Sequence, residues 1–409
     1  MPRDGRAGIL AEDDAGHFFA LEVSDELILA LIAVEIDLRI HRRIIEYDLS
    51  RNLQLRPTPR KNLENSHIAI VTQCDCRCRD TGRILCYKSP VIRMKILFIR
   101  GGGLGDFIVT LPTLRVLRER WPDARIELLG QPRQSEIALN RYYVDAVRSA
   151  NHGPLSAFFM PSAVIDPAWM DYVGGFDLVL SYFYDPDALF RTNLERCGPD
   201  RVLTWTPRVP ENYGQPAARF FSGILAPLGL GLGAAVAGEI FPSSDDIAAA
   251  RAFIAGLKPG VRIVAIHPGS GSETKNWPMR LWAELGWRLC EEASDIALLL
   301  IEGEADGEAG QFIAQAWKEL PHTRARLLPL PILAALLRES ALYLGHDTGI
   351  THLAAAARRD LPVIALFGPS DPGVWAPPRP GVHVVKGIPS LPELSVEDVF
   401  RAALSVLNR

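Results

Sequence analysis

Residues 340–367 read as a strand, a tight turn, a helix and a second strand, and a chain carrying that unit has few folds open to it. The apolar run 340–344 breaks at Gly345-His346-Asp347. Small residues with helical character follow over 348–358, and a second apolar run spans 362–367. In such a βαβ unit the helix begins at the carboxyl edge of a parallel sheet, where ligands bind. Its free N–H groups and dipole favour an anion there, and phosphate is the obvious candidate. Gly349 permits close backbone approach to a ligand, and Thr348 and His352, four residues apart, share one face of the first turns. Taken singly, Asp347 reads equally well as a helix N-cap and His352 as a packed core histidine.

The same order recurs after Met94. A short apolar run, KILFIR over 95–100, meets the loop Gly101-Gly102-Gly103-Leu104-Gly105-Asp106, and helical spacing follows over 107–121. Further strands are expected at 125–129 and 177–181, so this half also implies a parallel sheet, with ligands approaching the glycine loop. A glycine loop after a first strand also suits a dinucleotide-dependent oxidoreductase. Here, however, Asp106 stands where that pattern needs its third glycine, and a carboxylate there repels a pyrophosphate. On a loop walled by Gly103 and Gly105, Asp106 is instead placed to take a proton from an incoming hydroxyl; its plainer role is to cap the helix. The aromatics Trp169, Phe176, Tyr182, Phe183 and Tyr184 could line an acceptor cleft, but aromatics at such spacings are more often core, and no role is assigned to them. The loop run 229–233, Gly-Leu-Gly-Leu-Gly, marks the passage between domains.

The second half opens with a helix capped at Ser244-Asp245-Asp246 and a buried strand at 261–266. The loop that follows, HPGSGSETKNWP, suits a diphosphate. Its small residues leave N–H groups accessible, Ser270 and Ser272 offer hydroxyls, and Lys275 brings a compact positive charge. The next strand, 296–301, ends in Glu302-Gly303-Glu304-Ala305-Asp306. There Glu304 and Asp306 are both candidates to accept from ribose hydroxyls, or simply form a solvated acidic turn. Helices are expected at 306–319 and 331–339, and an amphipathic one at 396–407.

Three blocks, GHDTGITHLAAA with FGPSDPGVW, GGGLGDFIVTLPTLRVLRERWPDARI, and the H-P-G, lysine, W-P framework, resemble glycosyltransferase family nine, the bacterial ADP-heptose:lipopolysaccharide heptosyltransferases. The resemblance covers roughly 94–390 and is thin between the blocks. It implies an α/β chain of the GT-B fold: two Rossmann-like βαβ domains facing across a cleft, at 94–238 on the acceptor side and 239–390 on the donor side. A terminal helix at 391–409 is expected to return to the first domain. It further implies an inverting, metal-independent transfer of a sugar, with heptose from ADP-heptose expected, to a lipopolysaccharide-type or other glycan acceptor. Asp106 would be the base, and Lys275 would contact the donor phosphates. Ser270, Asp347, Thr348, Gly349, His352 and one of Glu304 or Asp306 would line the donor site. The nucleotide sugar is substrate, so no cofactor is expected. A sugar-nucleotide sensor without activity is the alternative on the same fold, disfavoured because Asp106, Lys275, Asp347 and His352 occur together.

A formal charge of −4 and pI near 6.2 give no electrostatic case for nucleic acid. The longest apolar stretch, 27–36, is interrupted by Glu35 and falls well short of the roughly 20 residues of a spanning helix. A cytoplasmic protein is expected, with a lipid-linked or glycan acceptor bringing it against the inner membrane surface. Residues 1–93 stand apart: eleven acids against five bases in the first fifty, then nine bases against three acids. Four of the six cysteines, Cys74, Cys76, Cys78 and Cys86, lie there with C-x-C-x-C spacing, unlike paired zinc ligands. An extension outside the core, with Met94 as an alternative start, is the favoured reading.

Overall fold

The computed structural model describes residues 6–12 and 18–24 as strands, and residues 93–408 apart from 152, 235, 272–274, 305 and 389. The four clustered cysteines, the apolar stretch at 27–36, and Ser272 lie outside the described residues. The chain divides into two compact units, Met1–Ile92 and Arg93–Arg409. In the first, β1 (Arg6–Glu12) and β2 (Phe18–Ser24) pair antiparallel, with Arg6 opposite Ser24 and Glu12 opposite Phe18.

The second unit holds two parallel sheets. One contains β3 (Lys95–Arg100), β4 (Arg125–Gly130), β5 (Ala146–Ser149), β6 (Leu178–Ser181) and β7 (Arg201–Thr204) in the order β5-β4-β3-β6-β7. The other contains β8 (Arg262–His267), β9 (Ile296–Glu302), β10 (His322–Arg326), β11 (Leu342–His346), β12 (Val363–Phe367) and β13 (Val382–Lys386) in the order β10-β9-β8-β11-β12-β13. Strands joined by helical crossovers run parallel and are covered on both faces, so the central ones are apolar throughout. Every residue of IALLLIE in β9 and of VIALF in β12 is buried.

Alternate strand residues divide the core by face. Ile96 and Phe98 of β3 join Ile263, Ala265, Tyr343 and Val363 of the second sheet in one continuous apolar cluster, so the two domains share a core. The opposite face of the first sheet, Leu97, Ile99 and Val179, packs on Trp169, Phe176 and Phe190. Of the aromatics expected in the core, Trp169, Phe176 and Tyr182 are buried, whereas Tyr184 is exposed beneath the Arg208 guanidinium.

Six helices place the site: α1 (Leu104–Ile108), α2 (Leu111–Arg120), α3 (Ser244–Ile254), α4 (Met279–Glu292), α5 (Gly349–Ala357) and α6 (Val396–Leu407). The single helix expected over 107–121 is two, because Val109 and Thr110 interrupt it. Helix α3 is capped by Ser243, whose hydroxyl accepts from Asp246 N–H at 3.2 Å while Asp246 accepts from Ser243 N–H at 2.8 Å. Asp246 also receives two hydrogen bonds from Arg141 of the first domain, at 2.8 and 3.0 Å.

Helix α6 does not return to the first domain. Its stripe Val399, Ala403 and Leu407 buries against the outer face of the second sheet together with Trp282, Leu285 and Leu289 of α4. Arg262 donates to Leu407 O at 2.6 Å, and Glu397 pairs with Arg288. The apolar spacing at every fourth residue finds its partner on α4, so the helix closes the second domain's own core.

Candidate active site

At the first sheet's carboxyl edge, Gly102 turns the chain through φ +92°, a left-handed conformation that glycine tolerates, and α1 starts after Gly103. Asp106, third in the helix, accepts from Gly103 N–H at 3.0 Å, so the capping role is present. That bond fills the anion-binding concavity of the glycine loop with the chain's own carboxylate, which counts against a dinucleotide pyrophosphate there. The side chain is nevertheless 39% exposed. Beneath it lies Arg100, whose buried guanidinium donates to Asp106 O at 3.3 and 3.1 Å and stands 3.5 Å from Asp106 Oδ1. Arg100 also stacks over Tyr182 and Phe221 at 5.5 and 4.8 Å, and burial lowers its pKa.

The second sheet brings Asp347 and Lys275 together. Lys275 Nζ donates to Asp347 Oδ2 at 2.6 Å, with the aspartate side chain only 8% exposed and the lysine 31%. Strand β11 runs through His346, two residues beyond the end expected from sequence, and Thr348 rather than Asp347 occupies the N-cap position of α5. No side chain caps that helix, so the first N–H groups of α5 lack helical partners at the edge where Lys275 sits.

The two edges meet at glycines. A Cβ on Gly349 would lie 2.7 Å from Leu104 Cβ and 2.9 Å from Gly105 N, and one on Gly105 would lie 3.3 Å from the His352 ring. Gly349 therefore serves close approach of α5 to α1, not only of backbone to ligand. His352 is buried at this seam, and its pKa is lowered by burial, opposed by Asp347 and Asp106 and reinforced by Lys275, which keeps the imidazole neutral. Asp106, Lys275, Asp347, Thr348, Gly349 and His352 are thus drawn together from three segments.

The remaining expected residues divide. Ser270 is half-buried on the β8 loop. Asp306 is buried, accepting from Gly303 N–H at 2.6 Å and bonded to His267 Nε2 at 3.1 Å, in space that only a glycine at 269 leaves open. Burial pushes its pKa up, but His267 and Gly303 outweigh that and hold it low. Glu304 is 77% exposed and forms an ion pair with Arg133 of the first domain. Among the described residues no group of three His, Cys, Asp or Glu side chains forms a metal-binding cluster.

Two groups carry more of this geometry than the sequence suggested. His346 is fully buried, Nε2 accepting from Trp277 N–H at 2.8 Å and Nδ1 facing Gly269 O at 3.4 Å; burial holds its pKa near 3. Arg100 is the other. In both, a charged or polar residue closes an otherwise apolar strand, a signal that was available in the sequence.

Residues 234–403 match the family described as glycosyltransferase family 9 (heptosyltransferase). Lipopolysaccharide heptosyltransferase 1 of Pseudomonas aeruginosa is 25% identical over 332 residues, covering 73% of this chain and 86% of that protein. Lipopolysaccharide heptosyltransferase 3 of Escherichia coli K12 is 23% identical over 289 residues, covering 67% and 82%. In fold, the family 9 glycosyltransferase of Veillonella parvula superposes with a TM-score of 0.63 at 18% identity, covering 77% of this chain and 97% of that one. The E. coli ADP-heptose heptosyltransferase II gives 0.61 at 19% identity, covering 77% and 99%. The two parallel sheets are the GT-B arrangement of these glycosyltransferases, and residues 234–403 carry the part of the chain that matches glycosyltransferase family 9.

Proposed function

We propose that this protein is an inverting glycosyltransferase that moves heptose from ADP-heptose to a hydroxyl of a lipopolysaccharide-type acceptor. The observation that carries the reading is the juxtaposition across the Gly105–Gly349 seam. A half-exposed carboxylate on one domain faces a lysine and an uncapped helix N-terminus on the other. Asp106 takes the acceptor O–H proton as the oxygen attacks the anomeric carbon. The bond from that carbon to the diphosphate oxygen breaks, and ADP leaves with the electron pair. Charge on the departing diphosphate is met by Lys275 and the first N–H groups of α5, so the reading assigns this work to protein groups and invokes neither metal nor cofactor.

Lys275 engages Asp347 as it stands, and a diphosphate would compete for its three donors rather than replace that partner. Of the two acids considered for the nucleoside, Asp306 is committed to His267 and Gly303, which leaves Glu304 as the one facing solvent. The acceptor class places the protein in the cytoplasm against the inner membrane surface. No helix among the described residues is long and apolar enough to cross a membrane, and the charge balance favours no nucleic acid. The test is sugar transfer to a heptose-deficient lipopolysaccharide core, comparing ADP-heptose with UDP- and GDP-sugars. ADP-heptose should be the productive donor. Turnover with a UDP- or GDP-sugar alone would retain a glycosyltransferase and remove the heptose assignment, and donor binding without transfer to any acceptor would favour the sensor.

A further inference from the structure

His346 bonds to the backbone on both sides of Lys275. Its Nε2 accepts from Trp277 N–H at 2.8 Å, and its Nδ1 points at Gly269 O, 3.4 Å away. These two backbone groups bracket Lys275, which lies two residues before Trp277. The next residue along the chain from the histidine is Asp347, to which Lys275 is bonded at 2.6 Å. The imidazole is gripped in turn: Trp282 meets it edge-on at 5.3 Å and 79°, Trp277 meets Trp282 at 5.0 Å and 86°, and Trp277 Nε1 donates to Leu394 O at 2.8 Å. A side chain at 346 must accept at one end and donate at the other in a fully buried space, which a neutral imidazole does and an aliphatic residue does not.

We propose that His346 is a positioning residue for the donor diphosphate: by tying Gly269 O and Trp277 N–H to the end of β11, it holds Lys275 against Asp347 at the mouth of α5. The proposal rests on the donor role given to Lys275 above. An imidazole that merely filled space would leave the lysine where its own loop puts it. The tie instead removes the loop's freedom before the ligand arrives, so affinity is gained by preorganisation.

The test is calorimetric titration of the whole protein with ADP, alongside its melting temperature. K275A comes first and is expected to bind ADP roughly tenfold or more weakly. H346L should lose about as much, and the H346L/K275A double variant should bind no more weakly than K275A alone, because both remove one contribution. H346Q keeps an acceptor for Trp277 N–H. It should melt lower than wild type, as H346L does, yet bind ADP more tightly than H346L. Should H346L fail to fold, H346M replaces it in the same comparisons. Wild-type affinity in K275A overturns the donor reading and this proposal with it. A loss in K275A with none in H346L, additive losses in the double variant, or affinities that track melting temperature equally in H346Q and H346L overturn the positioning role alone.

Discussion

The carboxyl edges of the two sheets are built differently. On the first, Asp106 rides a helix of five residues, held by one backbone N–H and the guanidinium of Arg100, and leaves a good part of its side chain in solvent. On the second, Asp347, His346, His267 and Asp306 are all buried and bonded to chain neighbours or to one another. The first edge suits an acid that must reach an incoming hydroxyl, and the second a rigid cradle whose dipoles are set before a diphosphate arrives. The second is also the edge matched over residues 234–403 by the family description. A cradle fixed by several buried polar bonds tolerates fewer sequences than a loop carrying one acid.

The sharpest way to break that contrast is Asp106→Asn. Asparagine's amide oxygen still accepts from Gly103 N–H, so the melting temperature should hardly move, while turnover falls by about 10² to 10⁴ and ADP affinity persists. Turnover near wild type under chemistry-limited conditions would return Asp106 to a purely capping role. The second edge is probed by acid instead. His346 has a folded pKa near 3 and His352 one below the ordinary 6.5, so below 6.5 the unfolded chain binds more protons than the folded one. Their contribution is therefore complete above about pH 6.5 and lost as pH falls, and for His346 the loss continues toward pH 3 at up to roughly 1.4 kcal/mol per pH unit. Denaturant titrations at pH 7, 5.5 and 4.5 should show this decline, and H346Q should show a shallower one. A flat profile in the wild type would mean that these imidazoles are not held neutral by the fold.

What was legible in the sequence follows the same division. The central strands, β3, β4, β6, β8, β9, β11 and β12, were each visible as apolar runs to within a residue or two, because both of their faces are covered. Strands β5, β7, β10 and β13 were not, and these four are the edges of the two sheets. Their exposed or half-exposed residues, such as Val382 to Lys386, carry no continuous apolar signal. Asp106, Lys275, Asp347, Thr348 and His352 were each nameable as candidates because each sits at a strand-to-helix turn that the sequence marks, and the fold brings them together. The sequence left Glu304 and Asp306 unresolved, since which of two neighbouring acids turns inward depends on His267 and on the space above Gly269, neither adjacent in the chain. The amphipathic stripe of α6 showed that the helix buries one face but not which domain receives it.

The smallest expected effect concerns the seam itself and separates Gly349 from Gly105. Neither has positive φ, so alanine at either position meets only a question of space. At 349 the new methyl would lie 2.7 Å from Leu104 Cβ and 2.9 Å from Gly105 N, and the backbone atom cannot step aside without moving α1. At 105 it would lie 3.3 Å from the His352 ring, which a rotation of a few tenths of an ångström relieves. Overpacking of this kind costs about 1 to 3 kcal/mol where the backbone must shift, so Gly349→Ala should melt clearly lower and Gly105→Ala only slightly. Moving α1 also moves Asp106 relative to Lys275. Gly349→Ala should therefore lose turnover beyond what its fraction unfolded explains, whereas Gly105→Ala should stay near wild type. Equal and small effects from the two alanines would show that α1 and α5 separate readily in solution, and that the close contact at these glycines is only one of the arrangements the two domains visit.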